Sequence, residues 1–211
     1  MSLWFTARGA GLSALLLLST ATCLGALVAR PASTARSSSP TRRYVLQYVH
    51  RAAAGLGLAV LVLHVVTILL DTYAHVGITG AIVPFTAGYR PTWVGLGSLA
   101  FYTFVGVSLL GLARGRMARS ERGARLWRQL HGLSYAGWAL AVVHGFTSGT
   151  DSSVGWVRLL YIACVAAVAA SVTYRMASVP RGMPGDRFTV RAPQVTEQPS
   201  APARIPEGAS R

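Results

Sequence analysis

The stretch LAVLVLHVVTILLD, residues 58–71, decides the fold because its side chains are almost all apolar and only His64 interrupts them near the middle. Charged residues make up 12% of the chain, against about 25% in a typical soluble domain. A bilayer core of about 30 Å requires roughly 20 residues of helix, and runs of nearly this length recur along the chain. Five runs contain no Asp, Glu, Lys or Arg: 9–28, 52–70, 91–113, 129–150 and 159–174. The sequence therefore predicts an all-α integral membrane bundle of about five transmembrane helices.

The distribution of charge predicts how these helices cross the membrane. All twenty basic residues are arginines, and seventeen lie after the first run, after the third run or near the C-terminus. The other three, Arg8, Arg90 and Arg158, lie on the opposite side. Short positively charged loops stay in the cytoplasm, so we expect the N-terminus outside, the C-terminus cytoplasmic and a multi-pass protein of the cell membrane. Topology and attraction to anionic lipid explain the net charge of +14, and no nucleic acid partner is expected.

Composition also divides the chain into two parts. A transmembrane domain is predicted at 1–177, and the segment 178–211, rich in Pro, Arg, Gly, Ser and Ala, is predicted to be a disordered cytoplasmic tail. The first apolar run is longer than a signal-peptide core and is followed by Arg30, which favours a retained helix. Cys23 and Cys164 lie inside apolar runs and are expected to be small apolar side chains rather than a disulfide. The predicted helices cover about 9–29, 43–70, 93–114, 126–147 and 154–177, and 76–85 is expected to form a short outer helix or cap.

Four of the five histidines lie in predicted spans and form two matched pairs. His50 and His64 are 14 residues apart on the second helix, and His131 and His144 are 13 apart on the fourth. At about 1.5 Å per residue these separations are roughly 21 Å and 20 Å, and the two helices run in the same direction. The imidazoles therefore meet at two levels, His50 with His131 and His64 with His144. Two axial histidines per level suit a pair of haems, whereas roughly 20 Å is too far for one metal ion to join both levels.

Two features between the paired histidines bear on this interpretation. Fourteen residues return a helix to within about 40° of its starting direction, but thirteen leave it about 140° away. The fourth helix would therefore need a local change of winding, tilted haem planes, or both, and Gly137 is a candidate position for a local distortion. Small residues between the histidines leave room for a flat macrocycle, although they also allow membrane helices to pack closely.

Arginines near the histidines are candidate partners for haem propionates. Arg51 follows His50, and Arg128 precedes His131 by three residues. Both also satisfy the positive-inside pattern, which is the preferred explanation of the two. Arg158 either extends to the outer surface or meets an outer propionate, and His75 is expected to be a solvated loop residue.

The histidine pairs, the segment LWRQLHGLSYAGWALAVVHG (126–145) and the outer segment VPFTAGYRPTWVGLG (83–97) resemble the ferric reductase-like transmembrane domain family. That family includes the membrane cores of NADPH oxidases and ferric-chelate reductases, and the haem-binding subunit of the bacterial methionine sulfoxide reductase system. The resemblance covers about 1–177. It implies two b-type haems held by the four histidines and electron transfer from the cytoplasm outward.

The sequence departs from this family in two respects. Larger members carry a cytoplasmic flavin and NADPH module, but no GxGxxG or similar nucleotide-binding signature occurs here. We therefore expect an oxidoreductase component that depends on a separate cytoplasmic flavin reductase or a quinol donor, with FMN or a quinone supplied by that partner, and on an extracytoplasmic acceptor. Many relatives also have six spans where five are predicted here.

Two other functions are compatible with such a bundle. A non-redox membrane scaffold or assembly partner on the same fold would not need the four histidines as ligands. A metal or proton translocator could use them as a ladder, but proton relays commonly use carboxylates, and the apolar runs contain none.

Overall fold

The computed structural model describes residues 2–29, 39–71 and 76–178 of the chain. All regular secondary structure in these ranges is helical, which confirms the predicted all-α class. The helices are α1 (Ser2–Val28), α2 (Pro40–Leu70), α3 (Gly77–Ile82), α4 (Pro91–Met117), α5 (Glu121–His131), α6 (Ser134–Ser148) and α7 (Gly155–Ala177). Four of them, α1, α2, α4 and α7, are long and apolar enough to cross a bilayer, as a multi-pass membrane protein requires.

Three predictions concern parts of the chain outside the described residues. They are the linker at 30–38, the loop histidine His75 and the tail beyond residue 178. The short outer helix, in contrast, lies among the described residues as α3, within the predicted range 76–85.

Two of the helices, α2 and α5, begin with a serine that caps the first turn. The Ser39 hydroxyl accepts a hydrogen bond from the Arg42 N–H at 3.3 Å, and Pro40 follows it at the first helical position. Ser120 caps α5 in the same way, accepting from the Gly123 N–H at 3.1 Å. These two helices therefore begin at Pro40 and Glu121, before the predicted starts at 43 and 126.

Helix α1 lies inside the bundle and packs against α2, α6 and α7. Its small residues Ala7, Ala14 and Ala21 repeat every seven positions and are buried, which allows a neighbouring helix to approach closely. Leu15 packs against Val157 and other residues of α7. This burial gives α1 a structural role in the bundle.

The predicted fourth helix at 126–147 is not continuous, which corrects the expectation from sequence. The chain changes its hydrogen-bonding pattern at Gly132 and Leu133, between α5 and α6. The Leu133 N–H donates to the Leu130 carbonyl at 3.0 Å, and the Tyr135 N–H donates to the Gly132 carbonyl at 3.2 Å. Both bonds reach back three residues, so the backbone tightens locally. Neither α5 with 11 residues nor α6 with 15 reaches the roughly 20 residues of a full span.

The expected change of winding therefore occurs, but directly after His131 rather than at Gly137. Gly137 is buried against α4, where an added Cβ atom would lie 2.8 Å from the Thr103 methyl group. Its small size serves the close packing of α6 on α4.

Candidate functional site

The first pair of predicted ligands meets where α2 begins its long apolar segment. His50 of α2 and His131 at the end of α5 have ring centroids 6.3 Å apart, with ring planes inclined at 69°. Metal–nitrogen bonds of about 2.0 Å and an imidazole radius of about 1.2 Å would separate two rings on opposite sides of one iron by roughly 6–6.5 Å. His50 and His131 are therefore close enough that both could bind the iron of one haem.

The second pair lies at a different depth. His64 of α2 and His144 of α6 line one cavity of about 290 Å³, whose walls are mostly apolar and include Leu61, Phe101 and Trp138. That volume is just below the roughly 300–1,000 Å³ typical of cofactor and ligand sites. Because both pairs join α2 to the α5–α6 segment in the same order, the two histidine-bearing segments run in the same direction.

Three of the four imidazoles are oriented by a backbone carbonyl of a neighbouring helix. The Nδ1–H groups donate at 2.7–2.8 Å, from His50 to Ala21, from His64 to Ala7 and from His144 to Trp93. A carbonyl oxygen can only accept, so Nδ1 carries the proton in each ring and Nε2 keeps its lone pair. Neutral imidazoles with a free Nε2 and a hydrogen-bonded Nδ1 are the form in which histidine binds a metal.

A glycine lies next to each of these three hydrogen bonds. In each case it is four residues later in the sequence than the residue whose carbonyl accepts the bond. An added Cβ atom would lie within 3.2 Å of the imidazole at all three positions, which are Gly25 against His50, Gly11 against His64 and Gly97 against His144. Cβ contacts this close are rarely tolerated, so the missing side chain allows the ring to reach the carbonyl oxygen. These residues were not identified from the sequence. One sequence feature could have identified two of them: Gly11 and Gly25 are 14 residues apart, the same interval as between His50 and His64.

His131 is held differently from the other three. Its ring stacks on Trp127, with centroids 4.8 Å apart and planes inclined at 17°. Its Nδ1 atom is buried and finds no hydrogen-bond partner within the described part of the chain. The Trp127 indole N–H donates to the Leu110 carbonyl of α4 at 2.9 Å, and the Arg114 guanidinium lies 5.1 Å from the indole centroid.

The predicted propionate partners lie at the surface. Arg51, Arg128 and Arg158 are all exposed, so their assignment to a haem stays a prediction. Two other arginines make contacts that the sequence did not indicate. Arg8 at the start of α1 forms an ion pair with Asp151, and Arg90 donates to the Thr147 carbonyl.

The donor set is limited to two histidines per level. No cluster of three or more His, Cys, Asp or Glu side chains suited to a metal ion occurs in the ranges 2–29, 39–71 and 76–178. Cys23 and Cys164 are free thiols, as expected. Haem needs only two protein ligands because the porphyrin supplies the remaining four, so the residues present fit haem better than a bare ion.

No protein-family model, curated protein or solved structure matches this chain.

Proposed function

We propose that this chain is a transmembrane electron-transfer protein that holds two b-type haems, one between His50 and His131 and one between His64 and His144. Electrons would enter from a cytoplasmic flavin reductase or a quinol and leave to an extracytoplasmic acceptor. The observation that carries the proposal is the orientation of His50, His64 and His144, each with Nδ1–H bound to a carbonyl and Nε2 free to bind iron. The 6.3 Å spacing of His50 and His131 supports it.

The chain's own residues would hold and isolate the cofactors. Haem b, when bound, supplies a reversible one-electron iron couple. The carbonyls of Ala7, Ala21 and Trp93 fix the ring orientation and raise the basicity of the free nitrogen. Two histidines per iron leave no open coordination position, so this arrangement favours electron transfer over direct binding of oxygen. The apolar walls around His64 and His144 keep the outer level poor in polar groups.

The membrane topology gives this transfer a direction. We propose five crossings, with α5 and α6 together forming the fourth, the N-terminus outside and the C-terminus in the cytoplasm. The arginine-rich end of α4 and the exposed arginines of α5 support a cytoplasmic location for the His50–His131 level. A haem chain between the two faces would then carry electrons outward, as the ferric reductase-like resemblance implies.

Pairs of histidine substitutions test which ligands share a haem. The haem-to-protein ratio of the purified protein, measured as the pyridine haemochrome, should be about two for the wild type and about one for each single His→Ala variant. His50→Ala combined with His131→Ala should still retain one haem, because both changes affect the same level. His50→Ala combined with His64→Ala should retain none.

His75→Ala is the control, and its ratio should equal that of the wild type. Absence of b-type absorbance from the wild type would overturn the proposal. If all four histidines can be replaced by Ala without loss of folding or partner binding, and no haem is found, the chain is a scaffold instead.

A further inference from the structure

The three carbonyl–glycine contacts follow one rule of helix geometry. In an α-helix the carbonyl of one residue accepts the N–H of the residue four positions later, which leaves a second lone pair on the oxygen. The Cβ atom of that later residue stands beside the oxygen. In all three contacts the later residue is glycine, so the imidazole reaches the free lone pair of Ala7, Ala21 or Trp93.

The positions of these glycines form a regular pattern that includes a fourth member. Gly11 and Gly25 are 14 residues apart on α1, and they serve the two histidines of α2. On α4, Gly97 serves His144, and the residue 14 positions later is Gly111. By the same rule, the carbonyl exposed beside Gly111 is that of Val107, four residues earlier.

Independent contacts place His131 next to this part of α4. Trp127, on which the His131 ring stacks, donates its indole N–H to the carbonyl of Leu110, the residue before Gly111. Among the described residues, His131 Nδ1 is the buried side-chain polar atom that finds no hydrogen-bond partner. A Cβ atom added at Gly111 would meet no atom within 4 Å, so space is open beside that glycine.

We infer that the open space beside Gly111 admits the His131 ring, so that the Val107 carbonyl receives its Nδ1–H as the fourth orienting contact, with or without a bound ligand. Gly111 is a positioning residue in this inference, since it acts through His131. His131 is the last residue of α5 and directly precedes the tightened turn at Gly132 and Leu133. The test by haem retention rests on the proposed function, whereas the contact itself can be tested without haem.

The matched variants are Gly111→Ala and Gly106→Ala. Both lie on α4, and an added methyl group meets nothing within 4 Å at either position. Packing in the described structure therefore predicts no difference between them. The inference predicts that Gly111→Ala loses the His50–His131 haem, or shifts its EPR g values and midpoint potential, whereas Gly106→Ala does not. Retention of the His64–His144 haem shows that Gly111→Ala still folds.

Histidine-selective ¹⁵N NMR of the haem-free protein tests the same contact without a cofactor. The His131 signal, assigned through its loss in His131→Ala, should indicate a proton on Nδ1 and should shift in Gly111→Ala but not in Gly106→Ala. If Gly111→Ala leaves the His131 signal unchanged, the inference is overturned whether or not the protein binds haem. If the wild type binds no haem but the shift occurs, the proposed function fails and the contact stands.

Discussion

At three of the four histidines, one backbone carbonyl oxygen determines which ring nitrogen carries the proton and which can bind a metal. Without a fixed hydrogen bond, a neutral imidazole exchanges its proton between two nitrogens and either could face a metal. The carbonyls of Ala7, Ala21 and Trp93 remove this ambiguity for three rings. Because the acceptors are backbone atoms, a substitution cannot remove them. The hydrogen bonds can be disrupted instead by substituting the neighbouring glycines, whose added Cβ atom would displace the ring.

Gly97→Ala tests this role at the residue scale. The added Cβ atom would lie 2.7 Å from both Nδ1 and Cε1 of His144, so the ring must leave the Trp93 carbonyl. Loss of such an orienting contact typically weakens metal affinity about 10- to 100-fold, and we expect the outer haem to be lost on dilution. The haem-to-protein ratio measures the effect.

Gly55→Ala on α2 is the control, since its added methyl group meets nothing within 4 Å. It should keep both haems, with a stability change of about 1 kcal/mol or less in the favourable direction. Equal haem retention in the Gly97 and Gly55 variants would contradict the orienting role of Gly97.

At the scale of the elements, α1 connects the two helical segments that carry the histidines. It provides acceptors to both histidines of α2, and its Ser19 hydroxyl accepts a hydrogen bond from the Trp138 indole of α6 at 2.9 Å. The bend between α5 and α6 has a related role. Thirteen residues in a straight helix would direct His131 and His144 to different sides, and the tightened turn at Gly132 changes that angle.

Ser19→Ala should weaken the packing of α6 on α1. Ser19 is 4% exposed, so its removal leaves the Trp138 N–H without this acceptor in a buried position. Such a loss costs about 1–3 kcal/mol, and the midpoint of thermal unfolding in detergent should fall. Ser13→Ala, an exposed position on the same helix, is the matched control and should leave the midpoint unchanged. A double-mutant cycle with Trp138→Phe should show coupling between the two positions, and additive effects would show that this bond contributes nothing.

At the scale of the whole molecule, the number of crossings depends on the α5–α6 segment. Four helices of the described ranges are long enough to span a bilayer, and the proposed additional crossing consists of α5 and α6 together. The arginines at the end of α4 and along α5 favour one face of the membrane, and the turn before α7 then lies on the other.

Cysteine labelling determines this directly. Ser120 precedes α5, Ser153 precedes α7, and both are exposed. In a Cys23→Ala, Cys164→Ala background, a membrane-impermeant maleimide added to intact cells should label Ser153→Cys and not Ser120→Cys. Both should react after permeabilisation, which controls for accessibility. Labelling of both from the same side would show that α5 and α6 do not cross the membrane.

The sequence by itself determined the helical class, the long apolar helices and the axial spacing of His50 and His64, because these depend on composition and on the fixed rise of a helix. It also located the need for a change of winding between His131 and His144. Only the tertiary structure decided that this change lies at Gly132 and that a carbonyl beside a glycine orients each of three imidazoles. Hydrogen bonds between helices depend on which faces pack together. In the sequence, a glycine that makes room for an imidazole looks the same as any other glycine, because the imidazole comes from a different helix.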